Sequence, residues 1–188
     1  MKTLMRALLK LFGWKQVGEL PDFKKCVIIF APHTSNWDFV LMLMVRFCFK
    51  MDVAFLGKHT LFKSPLGWFF KWLGGIPVER SSKNNVVKQV VAEINSRERV
   101  QLALAPEGTR SKKSHWKSGF YHIAVQAQVP IVFSFLDSKT KTIGIGGFIQ
   151  PSGEIRQDMD KIRDFYKDKL GIKPEFASEI HIEESTKP

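Results

Sequence analysis

The stretch 27–49, VIIFAPHTSNWDFVLMLMVRFCF, decides the fold. Val27 to Ala31 form an unbroken apolar run rich in β-formers, the pattern of a strand buried on both faces of a sheet. Pro32 ends the run. Pro32 to Asp38 reads as a loop and helix start, with Ser35, Asn36 or Asp38 able to cap. Phe39 to Phe49 is then apolar and helical.

The alternation continues on both sides of this stretch. Val53 to Leu56, Ile76 to Glu79, Gln101 to Ala105 and Ile131 to Leu136 are short strand candidates. Leu61 to Leu73 is helical but broken near Pro65 and Gly67. Ser82 to Ser96, Ser118 to Gln128 and Met159 to Leu170 also carry helical spacing. Thr142 to Gly147 suits an edge strand because of its glycines. The pattern predicts an α/β fold: a single domain with a mostly parallel central sheet flanked by helices. In such sheets, sites gather beyond the carboxyl ends of the strands. Three polar loops occupy such places: after Ala31, around Gly75 to Arg80, and after Ala105.

The 188 residues are 44% apolar and 25% charged, a globular composition without repeat or linker. Cys26 and Cys48 sit in apolar runs and read as buried free thiols of a reducing compartment. No CxxC pair or zinc-like spacing accompanies them. The formal charge of +11 favours an anionic partner: nucleic acid, an anionic membrane surface or a phosphorylated substrate.

Placement of the charge narrows that choice. The first 25 residues carry Lys2, Arg6, Lys10, Lys15, Lys24 and Lys25 against Glu19 and Asp22. On a helix Leu4, Leu8, Leu11 and Phe12 share one face, an interfacial pattern. Leu61 to Leu73 mixes lysines with Trp68, Phe69, Phe70 and Trp72 and has no acid, which suits a headgroup layer. Either stretch could equally be a core element with a basic outer face; two in one basic chain point to membrane contact. Nucleic acid is disfavoured, because no reading motif is present and the rings lie in apolar stretches. No apolar run reaches 18 residues, so no spanning helix is expected. The basic start lacks a small-residue cleavage site and is not read as a signal peptide.

His33 and Asp38 are the first chemical candidates. If a helix begins near Ser35, the carboxylate can accept from one imidazole nitrogen while the other faces a substrate hydroxyl, as a general base requires. On spacing alone they read more readily as two ordinary loop residues; their place after a buried strand raises the case for chemistry. Pro106 to Ser111 (PEGTRS) is a tight turn presenting Arg110, whose guanidinium fits a phosphate or carboxylate. Arg80 could add a second guanidinium and Lys117 a point charge. Glu107 could hold an arginine or the turn itself.

Four blocks in order make the chain resemble the lysophosphatidate acyltransferase family of glycerolipid acyltransferases. They are His33 to Asp38 (HTSNWD), Gly74 to Arg80 (GGIPVER), Pro106 to Ser111, and Val129 to Val132 (VPIV). The resemblance spans roughly residues 20 to 150. It implies transfer of an acyl group from a thioester of coenzyme A or acyl carrier protein to a lysophospholipid hydroxyl, without an acyl-enzyme. By the same resemblance His33 is the base and Asp38 its orienter. Arg80, Glu107, Gly108, Thr109, Arg110 and Lys117 line the acceptor, 1-acylglycerol-3-phosphate by default. No cofactor is held permanently, no metal is expected, and the chain would dock peripherally on the cytoplasmic side of a membrane.

Two positions depart from the family pattern. Pro77 replaces an aromatic often found in the second block, and Phe133 a proline that often ends the fourth. Another acceptor such as a lyso-ornithine lipid, or a non-catalytic lipid binder, stays open on this reading. The expected organisation is a basic membrane-contact segment (1–18), a catalytic domain (19–173) and an acidic tail (174–188).

Overall fold

A computed structural model of the chain describes residues 2–79 and 83–183. In chain order the elements are α1 (Lys2–Leu11), β1 (Lys15–Val17), β2 (Lys25–Ala31), α2 (Asn36–Phe49), β3 (Val53–Lys58), α3 (His59–Phe62) and α4 (Gly67–Trp72). Then follow β4 (Gly75–Val78), α5 (Lys83–Ser96), β5 (Val100–Leu104), α6 (Gly119–Gln126), β6 (Ile131–Asp137), β7 (Thr142–Ile149) and α7 (Ile155–Tyr166). The strands form one sheet in the order β1-β7-β6-β2-β5-β3-β4. From β6 to β4 every pairing is parallel. β7 runs antiparallel to β6, and β1 parallel to β7.

The first strand read from sequence lies at the centre, between β6 and β5, which explains its unbroken apolar run. Successive side chains feed two cores. Val27, Ile29 and Ala31 pack with Val90 and Ile94 of α5, Phe120 and Ile123 of α6, and Met159, Ile162 and Tyr166 of α7. Cys26, Ile28 and Phe30 pack on the other face with Leu9 of α1 and Leu41, Val45 and Cys48 of α2. Both cysteines are buried and neither forms a disulfide. Burial pushes the Cys26 thiol up to about 12, with the Arg99 charge opposing.

The Thr142–Ile149 strand is not at an edge, because β1 pairs outside it. Its glycines have a different reason: the Val17 carbonyl of β1 stands where a Cβ of Gly144 would be. Glycine here permits close backbone approach. β1 itself is three residues long and leaves no period to read.

In α1 it is Leu9 that is buried, whereas Leu4, Leu11 and Phe12 face outward. Residues 174–183 lie back on the domain. Trp116 and Ile182 form a parallel bridge, and the Trp116 N–H donates to the His181 carbonyl at 2.7 Å. Because β2, β3, β4, β5 and β6 run one way, the loops after them share one edge of the sheet.

Candidate active site

The first loop on that edge is organised by the start of α2. Ser35 is extended (φ −148°, ψ 158°) and caps the helix, its hydroxyl accepting from the Trp37 N–H at 3.2 Å. Asp38, at the third helical position, closes the capping box. Its Oδ2 accepts from the Ser35 N–H at 2.6 Å and the Thr34 N–H at 2.5 Å. The carboxylate also sits where the helix dipole favours negative charge.

His33 Nδ1 stands 3.4 Å from the same oxygen. The expected imidazole-to-carboxylate hydrogen bond is not made, and both His33 Nδ1 and Asp38 Oδ1 are buried without a partner. The reason is local: Oδ2 is already committed to two amides. What remains is a close contact between the imidazole and a carboxylate shut wholly from water. His33 as a whole is one-fifth exposed although Nδ1 is buried, so the open edge of the ring is the Nε2 side.

The second loop crosses from the neighbouring strand β5. Gly108 adopts φ +63°, and its N–H returns to the Ala105 carbonyl at 3.0 Å, making the tight turn expected of this block. Glu107 Oε1 accepts from the His33 N–H at 2.9 Å. From sequence this carboxylate is expected to hold an arginine or its own turn; it holds the histidine's backbone and also accepts from its own amide. Glu107 is 3% exposed, and its Oε2 is buried without a partner. Burial pushes its carboxyl up to about 7, and the Asp38 charge adds to this. Hydrogen bonds from the His33 and Glu107 amides and the His33 charge act in the opposite sense. Beneath, the Tyr166 hydroxyl donates to the Ile29 and Ser134 carbonyls at 3.0 and 2.9 Å. Burial, and then the Glu107 charge, raise its own ionisation far above the usual phenol range.

Arg110 is exposed and its Nη1 donates to Asn36 Oδ1, the first residue of α2. The first and third sequence blocks therefore meet at a guanidinium beside the His33 loop. Thr109 Oγ1 accepts from the Ser111 N–H at 3.3 Å. The Lys117 side chain lies across Gly108, where an added Cβ would stand 2.7 Å from Nζ. The Lys117 N–H donates to the Pro106 carbonyl at 2.9 Å. Arg80 lies outside the described residues. From sequence Asn36 is read only as a cap candidate and Thr34 is given no role, although both stand inside the first block. Their signal was position, next to the histidine and at the first helical residue. Among the described residues no cluster of three His, Cys, Asp or Glu side chains could hold a metal ion.

Between α2 and the sheet lies a small apolar cavity lined by Ile28, Phe30, Met42, Val45, Met51 and Phe55. Arg46 closes one side, its Nη1 donating to the Leu73 carbonyl at 2.6 Å.

Comparison with known proteins adds a family and a fold. The profile of the family described as Acyltransferase matches residues 15–133. A 1-acyl-sn-glycerol-3-phosphate acyltransferase of Haemophilus influenzae is 27% identical over 135 residues, covering 66% of this chain and 55% of the relative. The human 1-acyl-sn-glycerol-3-phosphate acyltransferase beta is 29% identical over 127 residues, covering 64% and 44%. The chain thus spans about half the length of these curated relatives. The crystal structure of the 1-acyl-sn-glycerophosphate acyltransferase PlsC from Thermotoga maritima superposes with a TM-score of 0.61 at 17% identity. It covers 90% of this chain and 79% of that one, and shares the α/β architecture described above.

Proposed function

This chain belongs to the acyltransferase family, and we propose that it moves a fatty acyl group from a thioester of coenzyme A or acyl carrier protein to a lysophospholipid hydroxyl. The acceptor we favour is 1-acylglycerol-3-phosphate. The observation that carries this reading is the His33 loop: an imidazole with one edge open and the other facing a buried carboxylate at 3.4 Å. Several relatives share the name 1-acyl-sn-glycerol-3-phosphate acyltransferase, which supports the choice of acceptor.

His33 Nε2 takes the proton of the acceptor hydroxyl as its oxygen attacks the thioester carbonyl. The C–S bond then breaks, the new ester leaves, and the thiolate recovers the proton from the imidazolium. The Asp38 carboxylate, 3.4 Å from Nδ1, faces the ring as it takes up this proton and steadies the imidazolium formed in the step. Glu107 fixes the histidine's backbone, and that bond also occupies the His33 N–H, so this amide is not a free donor to the tetrahedral oxyanion. Arg110 is placed for the acceptor phosphate, because a guanidinium can offer two parallel N–H donors. Arg80, Thr109, Gly108 and Lys117 belong to the same proposed acceptor surface.

The lipid acceptor suggests peripheral docking on an anionic membrane, with residues 1–18 as one contact. No helix among the described residues is long and apolar enough to cross a membrane. Leu4, Leu11 and Phe12 of the N-terminal segment, and Trp68 and Trp72 of α4, are each more than half exposed.

The test is thiol release from acyl-coenzyme A or acyl-acyl carrier protein by the purified chain. It is run over a panel of lysophosphatidate, other lysophospholipids and lyso-ornithine lipid. Lysophosphatidate-dependent release, with the acylated lipid recovered, is expected. Acylation of lyso-ornithine lipid alone would replace the acceptor and keep the chemistry. Binding of lipid with no transfer from either donor would make the protein a silent binder.

A further inference from the structure

Residues 170–173 follow α7 and lie outside the stretch that matches the family, yet they reach the His33 loop. The Lys173 N–H donates to Thr34 Oγ1 at 3.1 Å. Gly171 is buried against the same side chain. A Cβ added to it would meet the Thr34 hydroxyl oxygen first, and would stand 2.7 Å from Thr34 Cγ2 and 3.1 Å from Thr34 Cβ, so a larger residue fits only by displacing Thr34.

The segment is itself tied to the end of β6. The Ser138 N–H donates to the Leu170 carbonyl at 2.8 Å, and the Ser138 hydroxyl to the Gly171 carbonyl at 2.7 Å. The Leu170 N–H donates to Asp137 Oδ1 at 3.3 Å. Ile172 packs on the core shared with α2. Thr34 is 3% exposed, and its own N–H is one of the two held by Asp38. It is therefore gripped twice, by Asp38 at the backbone and by residues 171 and 173 at the side chain.

We propose that Leu170–Lys173 is a strap that sets the His33 imidazole, with Thr34 and Gly171 as positioning residues. Thr34 adjoins His33, and His33 is held on its other side by Glu107. Loosening the Thr34 side chain shifts the histidine relative to both carboxylates at once. A misplacement of about 1 Å can cost a reaction on the order of 10²-fold. The strap thus extends the catalytic loop's support beyond the family-matched residues, through the end of the neighbouring strand β6.

The rate measurements in the test rest on the acyl-transfer reading; a spectroscopic arm does not. Thr34→Val removes the hydroxyl and keeps the shape. It should lower kcat by about ten-fold with both KM values held. In ¹⁵N-histidine spectra the His33 ring signals should move, while those of His59, His122 and His181 stay. Thr34→Ser keeps the hydroxyl and should retain a kcat near that of the wild type. Gly171→Ala should lower kcat by about ten-fold and move the His33 ring signals, because the new methyl displaces the Thr34 side chain.

A wild-type kcat for T34V, with His33 signals unmoved, overturns the strap. So does a folded G171A variant whose kcat and His33 signals match those of the wild type. A segment that only stabilises would lower the unfolding temperature without moving the His33 signals. If G171A does not fold, T34V and T34S still decide. If the wild type acylates no acceptor, the acyl-transfer reading fails, and the His33 spectrum alone judges the strap.

Discussion

In the His33–Asp38 loop the backbone N–H groups of His33, Thr34 and Ser35 all donate to carboxylates, and both carboxylates are buried. On α1 and α4, Leu4, Leu11, Phe12, Trp68 and Trp72 stand more than half exposed. The rings of α4 touch mainly one another, with Phe69 stacked on Trp72 at 6.0 Å. The loop buries polar groups where a folded protein would find it cheaper to bury apolar ones. The outer faces are apolar where they meet water. Each departure carries a cost in stability, and each is what the proposed reaction needs: a fixed base at the sheet edge, and a surface compatible with lipid. Changes in the first region should alter chemistry, and changes in the second should alter where the protein goes.

The largest expected effect belongs to the loop. His33→Ala should lower turnover by about 10²–10⁴-fold, the usual worth of a general base. Its circular dichroism and unfolding midpoint should stay near those of the wild type, since His33 is partly open and its side chain makes no hydrogen bond. Retention of most of the transfer rate would remove His33 from the mechanism and erase the contrast between the two regions.

Glu107 tests the cost side of the comparison. Its folded value is about 7 against an ordinary 4.5, raised first by burial. A carboxyl raised in this way holds its proton more tightly when folded. The stability it contributes is present below pH ~4.5 and is lost as pH rises through ~7. At pH 8 the buried carboxylate costs on the order of 3 kcal/mol relative to its protonated form. Glu107→Gln keeps an oxygen for the His33 N–H and carries no charge. Urea unfolding should therefore find E107Q gaining on the wild type between pH 5 and pH 8. A difference independent of pH would mean that the carboxylate is relieved in some other way.

Arg110→Ala should act on one substrate. Loss of a charge-assisted hydrogen bond, worth about 1.5–3 kcal/mol, corresponds to a rise of roughly ten- to a hundred-fold in the acceptor KM. The thioester KM should change little. Equal damage to both would place Arg110 elsewhere than the acceptor phosphate.

The two regions also differ in how they were legible in the sequence. The central strand, the alternating layers and the meeting of the HTSNWD and PEGTRS blocks followed from apolar runs and local motifs. The direction of the Glu107 side chain did not, because it depends on the lateral neighbouring of β2 and β5, which periodicity does not encode. The same limit hid β1, whose three residues have no period and whose place is set by glycines across the sheet. For the N-terminal segment the face of Leu4, Leu8, Leu11 and Phe12 was read from spacing; Leu4, Leu11 and Phe12 do face outward, but Leu8 is half-buried, and that Leu9 with Met5 meets the core needed the partner helix. In α4, Phe70 turns partly inward onto Phe62 (6.5 Å), while Trp68, Phe69 and Trp72 stay out. Composition identified that stretch as aromatic without telling which rings would find a partner.

The smallest effect per residue is expected on the outer faces, and it discriminates best. Leu11→Ser with Phe12→Ser, and separately Trp68→Ser with Trp72→Ser, remove exposed apolar groups that contribute little to folding. Stability should stay within about 0.5 kcal/mol per exposed site. Binding to vesicles rich in anionic lipid should weaken in each pair, because side chains buried in the headgroup boundary add affinity in proportion to apolar area. The neighbouring lysines and arginines add on the order of 1 kcal/mol each at low salt, an attraction that fades within a Debye length. Binding should therefore fall with added salt in the wild type, and the residual binding at high salt should be what the serine pairs lose. Turnover of a short-chain, monomeric lysolipid should not change, since none of these side chains lies in the His33 loop. If both pairs bound vesicles like the wild type, the exposed rings would be ordinary surface. If they lowered turnover of the monomeric acceptor as well, α1 and α4 would belong to the substrate path, and the separation between a chemical edge and a docking face would not hold.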